Sequence, residues 1–244
     1  MINPISIPGL FITGTDTGVG KTVIAGAIAQ WFARRGVTVA VSKPIATGCA
    51  RQREGLVSED AEFLASCAES RHPMELICPQ RYEEPLAPGV AADRAQEPVD
   101  WALIDRSFQQ MCATSGVIIV EGVGGVAVPL ADQVTVLNLA HWLRLPTIVV
   151  ARPGLGTINH TLLTLGALRS AGIEVAGVVI NRYPAEDAGL AEETNADAIE
   201  KWGGVPVLCV VPDEPVKRSS VPVEISDAVD RVDWGSLAAR RMMR

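Results

Sequence analysis

The stretch Gly9-Leu10-Phe11-Ile12-Thr13-Gly14-Thr15-Asp16-Thr17-Gly18-Val19-Gly20-Lys21-Thr22 decides how this chain is read. An apolar, strand-like run enters a glycine-rich turn, and Lys21-Thr22-Val23 opens a helical pattern lasting to about residue 35. Such a turn aims successive backbone N–H groups into one concavity, and the following helix N-terminus reinforces it, which makes a nest for phosphate oxygens. Glycine serves where the backbone must bend or approach a ligand closely, as at Gly18 and Gly20 around Val19. Lys21 is expected to reach the β and γ phosphates and the Thr22 hydroxyl to ligate Mg²⁺. The usual spacing is Gly, four residues, Gly-Lys-Ser/Thr; here five residues separate Gly14 from Gly20, and position 15 is Thr. The strand–turn–helix context is present, and the competing interpretation is an ordinary glycine turn with an exposed lysine.

Outward from this loop, short apolar runs alternate with amphipathic stretches. Strands are predicted at 9–13, 37–42, 116–120, 147–151, 175–181 and 205–211, and helices near 21–35, 58–68, 101–113, 135–142, 159–171 and 190–202. That alternation predicts an α/β fold with a mostly parallel central sheet and helices on both faces, as one domain over 1–244. Gly36 falls where a helix-ending left-handed residue is wanted. Two segments lie outside the alternation: 78–98, with four prolines, reads as a long functional loop or a cover over a site, and 213–223 as a second loop.

Bulk composition narrows the function classes. The 244 residues are 48% hydrophobic and 20% charged with a formal net charge of −7, and 22 Gly with 16 Pro fall short of a low-complexity composition. A net negative chain argues against a general nucleic-acid binder, because phosphate backbones need a basic face. No run of about 20 apolar residues escapes interruption, and the first residues carry no basic leader. A cytoplasmic location without membrane attachment is expected. Cys49, Cys67, Cys78, Cys112 and Cys209 form no CxxC pair, so buried or half-buried thiols are expected rather than a disulfide framework or a zinc site. The three histidines are too dispersed to propose a metal cluster.

Two further clusters follow predicted strands. Val117-Ile118-Ile119-Val120 ends in Glu121, then Gly122-Val123-Gly124-Gly125. In open parallel sheets ligands bind beyond the carboxyl ends of strands, so an acid on the same rim as the phosphate loop is a candidate Mg²⁺ ligand. The glycines would let backbone approach a ligand; the alternative is a surface acid ending a strand. Lys43-Pro44-Ile45-Ala46-Thr47-Gly48 likewise follows a strand. The chain has four lysines (Lys21, Lys43, Lys201, Lys217), and two are predicted to converge on this rim. A second cation there suits the charge spread over a transferred phosphoryl group, although a solvated lysine before a turn has the same local sequence. Asp60 stands at a helix start, where stabilisation of the helix dipole alone accounts for it.

Taken in order, Gly-Thr-Asp-Thr-Gly-Val-Gly-Lys-Thr, Lys-Pro-Ile-Ala-Thr-Gly, Glu-Gly-Leu followed by Asp-Ala, Val-Glu-Gly-Val-Gly-Gly and Gly-Thr-Ile-Asn-His resemble the dethiobiotin synthetase family, a P-loop NTPase fold, over residues 9 to about 214. The five-residue spacing is that family's own pattern. The resemblance implies a homodimeric, ATP- and Mg²⁺-dependent cyclo-ligase that closes a cyclic urea on 7,8-diaminononanoate with CO₂, through a carbamate and a carbamic–phosphoric anhydride. It implies that Lys21 and Thr22 bind phosphate and Mg²⁺, with Glu121 and Asp60 completing the metal environment. Lys43 and Thr47 would hold the carbamate, Lys43 also meeting the phosphoryl group. Asn181 would read the adenine edge, and Pro212, Asp213 and Glu214 would line the base. The segment 154–160, with Gly156, Thr157 and Asn159, would receive the substrate carboxylate across a dimer interface, where a helix N-terminus suits an anion; for Asn159 a plain helix cap is the alternative. The resemblance is loosest over 81–96 and 212–223. The resemblance also counts Val23 and, beside Asn181, Arg182 among the nucleotide-binding residues; an acid that helps read a base would be unsurprising at 182, which leaves base selectivity open.

A nucleotide-switched ATPase of the partition and division-site kind is the alternative from another class. Those proteins share the Gly-Val-Gly-Lys-Thr core but carry a lysine near the start of the loop, where this chain has Asp16. No basic run or terminal amphipathic helix is read that would anchor the chain to DNA or membrane.

Overall fold

The computed structural model describes residues 2–53, 55–216 and 220–240; Met1, Glu54 of the Glu-Gly-Leu motif and Lys217, with part of the 213–223 loop, lie outside them. Six apolar segments pair as β1 (Gly9–Gly14), β2 (Val39–Ser42), β3 (Val117–Gly125), β4 (Thr147–Ala151), β5 (Val175–Tyr183) and β6 (Val207–Pro212). All are parallel, in the lateral order β6-β5-β4-β1-β3-β2. β1, β2 and β4 are buried along their whole length, as strands covered on both faces must be.

The chain leaves β1 toward β2 on one side and later steps outward through β4, β5 and β6 on the other. Right-handed crossovers then put the intervening helices on opposite faces and leave β1 at the switch point, where parallel sheets open a crevice for ligands. α1 (Lys21–Ala33) packs on β1, β2 and β3 and against α2 (Glu59–Cys67), whose Phe63 and Cys67 occupy the space that any side chain at Gly26 would need. Gly36 is left-handed at the end of α1 (φ 76), as the sequence implied. After α3 (Met74–Ile77) and α4 (Pro88–Ala95), α5 (Trp101–Cys112) and α6 (Val136–Leu143) meet edge-on through Trp101 and Trp142. α7 (Thr157–Ser170) and α8 (Leu190–Gly203) pack together beside β4 and β6.

The differences from the sequence reading have local causes. The 78–98 segment is not one loop: Gln80–Arg81 pairs with Ile45–Ala46, and α4 occupies Pro88–Ala95 with proline in its first turn, where a missing N–H costs nothing. β3 continues past residue 120 to Gly125, pairing Gly14 with Gly125, two residues without side chains. α9 (Val223–Asp230) and α10 (Trp234–Ala238) were not foreseen; α9 is amphipathic, and its Ile225, Ala228 and Val229 are buried, with α9 packed against α1 and β6. No helix among the described residues is long and apolar enough to cross a membrane.

Candidate active site

Strand register explains why the charged residues meet. Ser42 pairs with Val120, so the residues that follow, Lys43 and Glu121, leave the sheet side by side. Ile12 pairs with Glu121, which sets the phosphate loop against the same acid. Lys43 Nζ donates to Glu121 Oε1 at 2.6 Å and to Asp60 Oδ2 at 2.8 Å, and Thr22 Oγ1 donates to Glu121 Oε1 at 2.9 Å. Asp60 reaches this point from the first turn of α2, whose N-cap is Ser58, accepting from the Ala61 N–H.

The electrostatics follow from burial. Lys43 and Glu121 are buried, at 4% and 1% exposure. Burial opposes the charged form of Lys43, but Glu121 and Asp60 outweigh it and hold the ammonium well above the ordinary lysine value. Partial burial also works against ionised Asp60, yet Lys43 beside it keeps the carboxyl below its usual range. Lys21 is pulled down to about 8, first by burial and further by Lys43, with Glu121 opposing. Its Nζ turns back to donate to the Asp16 carbonyl at 2.9 Å. Glu121 Oε2 is buried with no hydrogen-bond partner. An orphaned carboxylate oxygen beside a threonine hydroxyl and a second carboxylate is a hard oxygen donor set of the kind Mg²⁺ takes, with room left for phosphate and water. The residues present therefore fit a divalent cation.

The structure brings most of the expected residues together. A cavity of about 370 Å³ is lined by Gly18, Gly20, Lys21, Thr22, Val23, Lys43, Thr47, Asp60, Glu121, Val123, Gly124 and Arg182, and also by Thr17, which the motif contained but the sequence reading gave no role. A cleft of about 290 Å³ gathers Asn181, Arg182, Pro212, Asp213 and Glu214 with Val23. Its other lining residues, Pro215, Val216 and Ile225, carried no motif; Ile225 belongs to the unforeseen α9. Val19 is buried beneath the loop and offers its carbonyl to Asn181 Nδ2 at 2.9 Å. A Cβ at position 20 (φ 90) would overlap that same amide, so glycine there is required twice over. Gly122 is packed against Phe11 and Val136 and lines neither cavity. Gly156, Thr157 and Asn159 also lie outside both: Gly156 is the left-handed N-cap of α7 (φ 92), Thr157 is buried with an unpartnered hydroxyl, and Asn159 is exposed inside the first turn rather than at the cap. A larger cavity of about 520 Å³ sits where Val37, Thr38 and Val39 enter β2, at the opposite rim, and contains none of the motif residues.

An AAA domain profile matches residues 8–219. Among solved structures, a chain of the MinC:MinD cell division protein complex of Aquifex aeolicus aligns with a TM-score of 0.60 over 97% of this chain and 98% of that one, at 14% identity. A ParA family ATPase of Chlorobium tepidum aligns at 0.58 over 94% and 98%, also at 14% identity. Likeness at that identity establishes the fold alone. Sequence relatives are more informative. The ATP-dependent dethiobiotin synthetase BioD of Thermodesulfovibrio yellowstonii is 40% identical over 211 residues, 84% of this chain and 88% of that protein. BioD of Bacillus licheniformis is 40% identical over 223 residues, 91% and 93% respectively. Identity of that depth over nearly whole chains, on a rim where the phosphate-loop lysine, a second lysine and two carboxylates converge, leads to one assignment: the chain belongs to the ATP-dependent dethiobiotin synthetase family.

Proposed function

We propose that the chain acts as a single catalytic domain that carboxylates 7,8-diaminononanoate with CO₂ and closes the cyclic urea of dethiobiotin, converting ATP to ADP and phosphate. The convergence of Lys21, Lys43, Thr22, Asp60 and Glu121 on one cavity carries this reading. One substrate amine captures CO₂ as a carbamate. A carbamate oxygen attacks the γ-phosphorus of ATP, ADP leaves, and a carbamic–phosphoric anhydride forms. The second amine then attacks the carbonyl carbon, loses its proton and expels phosphate, which closes the ring.

Such chemistry asks the protein for positioning and charge neutralisation rather than a covalent nucleophile. Lys21 and the loop N–H groups hold the β and γ phosphates. Thr22, Glu121 and Asp60 hold Mg²⁺, which when bound neutralises phosphate charge. Lys43, with Thr47 beside it, orients the carbamate and meets the charge that grows on the transferred phosphoryl group. Asn181, with Pro212, Asp213 and Glu214, lines the base. Substrate carboxylate binding falls to the α7 N-terminus, at Gly156, Thr157 and Asn159, of the partner subunit in a homodimer. Leu155, just before α7, and Leu163, midway along it, are 86% and 65% exposed and support a contact surface on this helix. Five free cysteines suit a reducing, cytoplasmic setting.

The test is ADP release with and without 7,8-diaminononanoate and bicarbonate, with the product read by mass. Substrate-dependent release and a product heavier than the diamine by CO₂ less water are expected. ATP binding with no response to the diamine would sink the reaction while keeping the fold. Lys43→Ala should lower turnover on the order of 10²–10³-fold with little change in nucleotide affinity; unchanged turnover removes it from the chemistry.

A further inference from the structure

The end of β5 departs from regular pairing in a way that re-aims one side chain. Ile180 pairs with Val210 and Tyr183 pairs with Pro212, so Asn181 and Arg182 oppose the single residue Val211. Two residues against one is a β-bulge, a device that turns a side chain out of the sheet pattern and recurs beside active sites. Arg182 takes the left-handed conformation (φ 61) at this bulge, a place where glycine would be free of strain. Its neighbour Asn181 is fixed by its bond to the Val19 carbonyl, so the bulge is tied to the phosphate loop. Arg182 is exposed, forms no ion pair among the described residues, and lines both the phosphate-loop cavity and the cleft beside Asp213 and Glu214. Its Nε lies 4.0 Å from where a side chain at position 20 would begin.

A nucleotide with its terminal phosphates in the loop and its base in the cleft must pass its α-phosphate and ribose between the two. We infer that Arg182 is a clamp on this middle segment: its guanidinium binds the α-phosphate and ribose and adds affinity that does not depend on the base. The inference rests on the nucleotide reading of the site and extends it to the part of the nucleotide that all bases share. A planar fork of N–H donors suits phosphate and sugar oxygens, and the cost of holding a non-glycine residue left-handed is what the contact would offset.

The experiment is the dissociation constants of Mg-ADP, Mg-GDP and Mg-CDP for the parent, Arg182→Ala and Arg182→Gly by calorimetry, with thermal unfolding of each. Both substitutions should weaken all three nucleotides by about tenfold, the loss of one charge-assisted contact. Arg182→Gly should also unfold about 2–4 °C higher than the parent as the backbone strain is released, which separates a lost contact from a damaged fold. Unchanged constants in both variants would overturn the clamp, and so would a loss confined to Mg-ADP, which would make Arg182 a reader of the base. Diaminononanoate-dependent ADP release is measured on the parent separately. Its absence would strike the reaction and leave these constants standing, whereas its presence with unaltered constants would strike only the clamp.

Discussion

Glu121→Gln removes one charge from a buried pair while keeping its shape, and the geometry fixes what should follow. Glu121 is 1% exposed and Lys43 4%, and the two meet at 2.6 Å. At that 2.6 Å separation and an effective dielectric of about 20, the gross attraction is about 6 kcal/mol, most of which desolvation consumes. What remains measurable is the penalty for stranding one partner, about 3–5 kcal/mol. Asp60, 2.8 Å from the same ammonium, still compensates Lys43, so about 3 kcal/mol is expected for Glu121→Gln. In a domain of this size that lowers Tm by about 6–12 °C. Lys43→Met leaves the acid stranded and should cost a similar amount. Combined, no buried charge is left without a partner, only the half-exposed Asp60 loses one, and the double variant should recover about 2–3 kcal/mol relative to the sum of the singles. Urea unfolding of the four proteins closes the cycle. Singles that add to within about 0.5 kcal/mol would refute a coupled, buried ion pair as the frame of the site.

Two further outcomes test the loop and the core. Gly20→Ala should cost upward of about 2 kcal/mol and weaken Mg-ADP more than about tenfold, because it combines left-handed strain with overlap on the Asn181 amide. Gly36→Ala, equally left-handed but facing open space, should cost about 1–2 kcal/mol and leave nucleotide binding unchanged; urea unfolding and calorimetry compare the two. Burial pushes the thiols of Cys67, Cys78 and Cys209 up to about 12 and that of Cys112 to about 11, from an ordinary 9.0. The unfolded chain therefore releases protons above about pH 9 that the folded chain keeps, so stability is retained below that pH and falls as pH rises toward 11 or 12. Each such thiol contributes a slope of up to about 1.4 kcal/mol per pH unit there. Unfolding midpoints that stay flat from pH 8 to 10.5 would contradict the burial of these thiols.

The chemistry of the rim was legible in the sequence because of how a parallel sheet is built. Its strands are apolar on both faces, so the first charged residue after such a run is the first that can meet a ligand, and Lys43 and Glu121 are both in that position. The phosphate loop was legible for the complementary reason that glycines, Lys21 and Thr22 are required by local backbone geometry and need no partner strand to be recognised. What sequence reasoning missed depends on tertiary partners. α4 and α9 are short, and their apolar periods are too brief to stand out from the prolines around them. α9 becomes a helix with a purpose only when its apolar side meets α1 and β6. The departure of Arg182 is of the same kind. Its residue type favours no bulge and no left-handed backbone, and the two-against-one count exists only between β5 and β6. A side chain aimed by cross-strand register is invisible to any reading that takes one strand at a time. The residue that would clamp the middle of the nucleotide is of this tertiary kind, whereas the loop residues that would hold its terminal phosphates are of the local kind.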